Sequence, residues 1–418
     1  MPQQDIIIGA ADAGLGDNYF DAFTKAQANF TELYGVVASI GIVFVGSEAG
    51  FPVQDATTIT LEAQTQYIIT APITTAKSFT VQNAAVLSSS STLGPLLTYT
   101  GVGSMFNIVD ASFVIRYMQL NHPNAQGYSM TDTVGGNFAF LSDNVRHLSG
   151  TKYGTFNDPQ TVLIEVGAAF AFNDGLSFTG SNILINSIDK LFIGSTDVGF
   201  KAIDLGASVS QTTEYRDVTA NAPAGAFGIS GLVSSGNIPT GRLAMVNNCE
   251  FGGGMAALEN ITNEDIRWNF KDNSPIPDTI VDAMVSLNGN ATETVITTIN
   301  TPVLVAGTWV VERDSLFTAT TGGRVTYIGE RDIVLPIDVT ATINSASGTN
   351  KNIHAYVALN GTIIANSGKQ NRVGVTDPRN TSVLWQLSMS TNDYLEIFIE
   401  NNSDTINLVV SDAILRAR

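Results

Sequence analysis

The chain contains one cysteine, Cys249, in 418 residues. A single thiol closes no intrachain disulfide and builds no thiolate metal site. It reads as a small buried hydrophobe. Histidine is nearly as scarce. His122, His147 and His354 are scattered, with no HExxH spacing, so neither a metal centre nor a metal cofactor is expected. Charge is low at 14% of residues, and it is lopsided: 38 acidic side chains against 20 basic, for a net −18. No Lys/Arg cluster is present, which disfavours nucleic acid and anionic membrane surfaces as partners. No apolar run approaches the ~20 residues of a membrane span. The opening MPQQDIIIGAADAGLGD lacks the basic start and apolar stretch of a signal peptide, so synthesis in a cytoplasm is expected. A GxSxG elbow is absent. Gly101-Val102-Gly103-Ser104 has no Walker lysine and reads as a tight turn.

Apolar residues, by contrast, make up 44% of the chain. That is enough for a packed core in two or three domains. With so little charge, the surface must be covered by Ser, Thr, Asn and Gly. The overall reading is mainly β, in three regions.

In residues 1–41, Asp17 can cap a short N-terminal helix. Tyr19, Phe23, Ala26, Phe30, Leu33, Val37 and Ile40 then recur at alternating intervals of four and three. That is a heptad seam, expected to serve trimerisation or attachment; an amphipathic helix packed on its own domain gives the same spacing. Residues 42–290 carry short apolar runs separated by polar and glycine turns, such as Thr58-Ile59-Thr60-Leu61, Phe79-Thr80-Val81 and Ile183-Leu184-Ile185. This spacing fits a parallel β-helix or a sandwich. The region is long for one sandwich and poor in hairpin turns, which favours the β-helix. Residues 291–418 alternate with period two, as in Ile353-His354-Ala355-Tyr356-Val357-Ala358-Leu359. Asn360-Gly361 marks a hairpin there. An antiparallel sandwich follows.

Three resemblances accompany these patterns. The phrase Ala22-Phe23-Thr24-Lys25 … Asn29-Phe30-Thr31-Glu32-Leu33-Tyr34 resembles one found near the N-termini of bacteriophage fibre and virion structural proteins; where that pattern often has Asn, this chain has Gln27. Asn173-Asp174-Gly175-Leu176-Ser177-Phe178 followed by Asn182-Ile183-Leu184-Ile185 is similar to rungs of the right-handed parallel β-helix of pectate-lyase-like proteins. The last region resembles jelly-roll heads of trimeric fibres, of the type seen in tumour-necrosis-factor-like and C1q-like modules. Together they imply a homotrimeric virion component. Its N-terminus would attach to other virion proteins, and its head would display a host-binding surface.

The enzymatic option that needs fewest residues is glycoside cleavage, which requires only two carboxylates. The acids weighed in the middle region are Asp110, Asp132, Asp143, Asp174, Asp189, Asp204, Glu214, Asp217, Glu250 and Glu259. Glu214 and Asp217 lie three apart and would diverge on a strand. The group Glu259 to Asp265 reads as solvated or as a calcium site. For glycan contact the aromatics weighed are Trp385 and Tyr394 in the head, with Trp268 and Trp309 near the junctions, each of which reads more often as core or trimer interface, and a polar-loop Tyr128 beside Asn121, His122 and Asn124. No residue is assigned a catalytic or cofactor-binding role. The expectation is a structural tail fibre, head fibre or spike that binds a host surface without catalysis. The alternatives are a polysaccharide-degrading tailspike and a bacterial surface adhesin.

Overall fold

The computed structural model describes residues 41–418, apart from 90, 92, 93, 182, 234, 235, 263, 264 and 331. The expected helix, with Tyr19, Phe23, Phe30, Leu33, Val37 and Ile40, lies outside the described residues. The chain divides into two units, Met1–Thr279 and Ile280–Arg418.

The first unit is a parallel β-solenoid; among the described residues, its 21 strands all belong to one sheet system. Its spine is a stack of ten strands: Gly41–Val45, Thr65–Ile69, Ala85–Ser89, Phe113–Thr131, Ala139–Asn157, Thr161–Ala169, Ile183–Gly194, Ser210–Arg216, Ala244–Asn247 and Trp268–Lys271. Each pairs in parallel with the next. The alternation of apolar and polar residues sets which side chains point inward. One inward column runs Tyr67, Leu87, Ile115, Ser142, Ile164, Ile188, Tyr215, Val246, Phe270, each no more than 3% exposed. Each fully buried aliphatic or aromatic side chain of this kind stabilises the fold by about 1.5–3 kcal/mol. Rung on rung, aromatics also stack: Phe79 lies 5.1 Å from Phe106, and Phe106 lies 5.6 Å from Tyr128. Register produces the stacking, because Phe79, Phe106 and Tyr128 are partners on successive strands.

The solenoid turns a corner at the same place in seven successive rungs. Tyr117, Asn144, Val166, Lys190, Asp217, Asn248 and Asp272 have φ between 39° and 57°. A left-handed residue bends the chain while the inter-rung ladder continues; Asp217 N–H still reaches Asn247 O and Asn248 N–H reaches Lys271 O. Asn and Asp tolerate this conformation, whereas a β-branched Val is strained in it.

One reading of the sequence needs correction here. Tyr128 is not in a polar loop. It lies with Asn121, His122 and Asn124 in the 19-residue strand Phe113–Thr131, and it is fully buried. The polar residues suggested a loop because one of the two partners that make His122 an interior residue, His147, comes from another rung. Trp268 is core at 1% exposure, the more frequent of the two roles weighed for it.

The second unit holds two antiparallel sheets. One includes Asp282–Leu287, Val310–Ser315, Ile333–Ser345, Arg379–Met389 and Leu408–Ala417. The other includes Phe317–Ala319, Val325–Tyr327, Lys351–Leu359, Lys369–Val373 and Tyr394–Asn401. Asp282–Leu287 pairs with the last strand, so this unit takes in residues before 290. Period-two alternation buries Ile337, Val339 and Leu415 of one sheet and Ile353, Val357 and Ile397 of the other. Asn360 and Gly361 both adopt positive φ, 53° and 73°, and close the hairpin to Thr362–Ile363, as an Asn-Gly pair allows. Trp309 is buried at 2% exposure.

Candidate functional site

On the outer face of the solenoid, the last position before the recurrent corner forms a column in register: Arg116, Asp143, Glu165, Asp189, Arg216, Asn247, Lys271. Three carboxylates therefore sit on three successive rungs. Parallel strands are about 4.8 Å apart, so adjacent acids in this column are spaced by roughly that rise. The positive side chains lie at the ends of the acid run. Arg116 is in register with Asp143, and Lys190 Nζ is 3.3 Å from Asp189 Oδ2.

Glu165 is the centre of the run. Burial first, then the charges of Asp143 and Asp189, push its carboxyl above the ordinary range, with Lys190 opposing. Burial also raises the Asp143 carboxyl, and Arg116 partly offsets that. Asp189 Oδ1 is buried without a hydrogen-bond partner. One residue column over, Glu214 is nearly buried, with its side chain 6% exposed, and is ion-paired with Arg216. Leu163, Glu165, Ser187, Asp189, Glu214 and Arg216 line a small recess of about 30 Å³. That volume holds about two waters. A sugar ring would have to lie along the face above it.

Chemically, a carboxyl whose proton affinity is raised, set between two other carboxyls, is the kind of group that general acid–base work on a glycosidic bond uses. The strained Val166 corner follows Glu165 directly, at φ 39°.

The other acids weighed from sequence have structural partners. Asp110 accepts from the Thr133 N–H and hydroxyl. Asp132 caps a turn by accepting from the N–H groups of Val134, Gly135 and Gly136. Asp174 pairs with Lys152 at 2.8 Å, and Asp204 accepts from Gly206 N–H. Glu214 and Asp217 do not converge: Glu214 faces outward from its strand, while Asp217 sits in the corner and holds Asn248 Nδ2. Glu250 is exposed on the strand Glu250–Gly252. Glu259 is engaged by Lys201 at 2.6 Å, and Asp265 accepts from Thr262 N–H. Among the described residues, no group of three or more His, Cys, Asp or Glu is placed to hold a metal ion.

Glu165 was missed in the sequence reading. Its signal was present as Asp143, Glu165 and Asp189, spaced by about one rung each and each followed by a corner residue.

Trp385 and Tyr394 are not brought together, since they lie on strands of different sheets. Trp385 is half-buried and in register with Ile337, which is fully buried. Tyr394 has the Arg324 guanidinium over its ring at 4.0 Å, and Arg324 Nε donates to Glu396 at 2.9 Å. One face of the tyrosine is thus already covered.

No family description matches the chain, and no curated protein matches its sequence. Solved structures that the chain matches include two phage tailspikes. The tailspike of Acinetobacter phage vB_ApiP_P1 is 12% identical over 96% of this chain and 86% of that one, with a TM-score of 0.25. The enzymatically active domain of bacteriophage CBA120 tailspike protein 4 is 9% identical over 87% of this chain and 68% of that one, with a TM-score of 0.24. Murine APRIL matches 33% of this chain over 99% of its own, at 9% identity and a TM-score of 0.24. Scores this low assign no function and no residue role. Among the described residues, no helix is long and apolar enough to cross a membrane.

Proposed function

We propose that the chain is a fibre or spike of a phage particle, with the solenoid as a stiff shaft and the second unit as a jelly-roll head that contacts the host surface. The observation that carries this reading is the ten-strand in-register stack, followed in sequence by an antiparallel two-sheet unit. Parallel rungs resist bending because every strand is hydrogen-bonded above and below. The N-terminal phrase and heptad seam support attachment to the particle and homotrimer formation. A trimer turns weak single contacts into useful avidity. The low charge and polar outer residues suit a virion component contacting a surface glycan.

A second reading, polysaccharide cleavage, is favoured by one specific observation: the raised Glu165 between Asp143 and Asp189. One experiment separates the two. Purified chain is mixed with capsular and O-chain polysaccharide preparations, and binding and reducing-end release are both measured. Binding without new reducing ends supports the fibre. Release that disappears in Glu165→Gln supports the enzyme. Absence of both overturns the host-surface role.

A further inference from the structure

Inside the solenoid core, away from the carboxylate column, two imidazoles are in direct contact. His122 and His147 are both fully buried, and His122 Nε2 lies 2.8 Å from His147 Nδ1. His122 Nδ1 is 2.9 Å from the Ala125 carbonyl, and the Tyr128 hydroxyl is 3.2 Å from His147 Nε2.

The protons in this chain can be placed in order. A carbonyl only accepts, so His122 Nδ1 carries a hydrogen. In a neutral ring, Nε2 is then an acceptor, so His147 Nδ1 donates to it. His147 Nε2 is left as an acceptor, and the Tyr128 hydroxyl donates. Every ring nitrogen is satisfied with both rings neutral and both in the Nδ1–H form.

Room for the rings comes from two glycines. A Cβ at Gly150 would come within 2.3 Å of His122 Cε1, and one at Gly127 within 2.6 Å of Tyr153 O and 3.1 Å of His147 Cε1. The groups facing the rings are Tyr128 from the strand of His122, Tyr153 from the strand of His147, and Phe172 from the next rung. Neither ring has a carboxylate, lysine or arginine among its partners. Ser142 is also buried, and its hydroxyl lies beside those of Tyr128 and Tyr153.

We propose that the His122–His147–Tyr128 chain is an acid-sensitive lock on the rungs spanning Phe113–Phe172: these rungs close only around two neutral imidazoles, and acid opens them. An added proton has two sites, and each forces the hydrogen-bond chain to rearrange. On His147 Nε2 it turns the Tyr128 hydroxyl from donor to acceptor and forces that hydrogen round toward Ser142. On His122 Nε2 it reverses the bond between the rings. Either way a cation is buried with no counter-charge. Burial lowers the proton affinity of both rings, and for His147 the neighbouring His122 lowers it further.

The sign follows from linkage. Folded-state affinity is depressed, so the neutral pair stabilises the rungs fully above the free-histidine value of about 6.5, and that stability is lost as pH falls below it. The lock does not depend on the phage assignment.

The test uses the full chain with isotope-labelled histidine, which has only three imidazoles to observe. At about pH 8 and about pH 5, two of them should be neutral and Nδ1-protonated while the chain is folded. Hydrogen exchange, corrected for its intrinsic pH dependence, should show the rung-opening constant rising up to about tenfold per pH unit per imidazole below about pH 6.5. Peptides from Lys351–Leu359 should show no such rise. A His122→Leu, His147→Phe chain that folds should lose the slope; if it does not fold, the wild-type spectra decide. A charged buried imidazole in the folded chain at about pH 5, an Nε2–H form of either ring, or pH-independent opening of these rungs would overturn the lock.

Discussion

Replacing Glu165 by Gln should stabilise the solenoid at neutral pH. Glu165 is in register with Asp143 on one side and Asp189 on the other. Like charges directly opposite each other on neighbouring strands destabilise by roughly 0.2–1 kcal/mol a pair. Glutamine keeps the shape and removes two such pairs, so the gain is about 0.4–2 kcal/mol. In a unit of this size that corresponds to a Tm rise of roughly 1–6 °C. The pH dependence provides an internal check. The Glu165 carboxyl is raised by burial and by its two acidic neighbours. A raised acid is most favourable below its unfolded value of about 4.5 and loses stability as pH rises through its folded value. The two chains should therefore match at low pH and separate above it, with the variant ahead. Asp143→Asn is the control, because it removes one like-charge pair and also the attraction of Arg116. Thermal and denaturant unfolding of the three chains across pH measure this. An unchanged or weakened Glu165→Gln chain at pH 7 would refute the carboxylate column as drawn.

Phe106→Ala removes a fully buried ring packed between Phe79 at 5.1 Å and Phe113 at 5.3 Å; denaturant unfolding should show a loss of about 3–5 kcal/mol. Val166→Asn replaces an exposed β-branched residue at φ 39° and should raise stability by about 1 kcal/mol; a loss would mean that the corner is not strained. Cys249 is 2% exposed, and burial pushes its thiol up to about 12. Thiol reagents at mildly alkaline pH should leave it unmodified until denaturant is added, and rapid labelling of the folded chain would contradict its placement.

Much of this architecture was legible because the hydrophobic periods differ between the two units. Period two with an Asn-Gly hairpin marks Lys351–Leu359 and its neighbours as antiparallel. Short runs without hairpin turns mark the solenoid. What was not legible is which residues share a column. Rungs vary in length, so Asp143, Glu165 and Asp189 become neighbours only once each corner is placed, and three of the seven corners fall on Tyr, Val and Lys rather than on Asn or Asp. The same limit hid the histidine pair. His122 and His147 are 25 residues apart, and the polar residues around His122 signalled a loop until the facing rung supplied His147 as a partner. In the head, exposed aromatics were a weaker guide, because the partner that covers Tyr394 is Arg324, which is distant in sequence.

The most direct test of the shaft-and-head account is the mass of the chain in solution by light scattering, with and without residues 1–41. The account predicts three times 44.2 kDa for the intact chain. Loss of that mass on truncation would assign trimerisation to the N-terminal seam, and retention would assign it to the solenoid or head. A monomer of 44.2 kDa for the intact chain would contradict the trimeric spike.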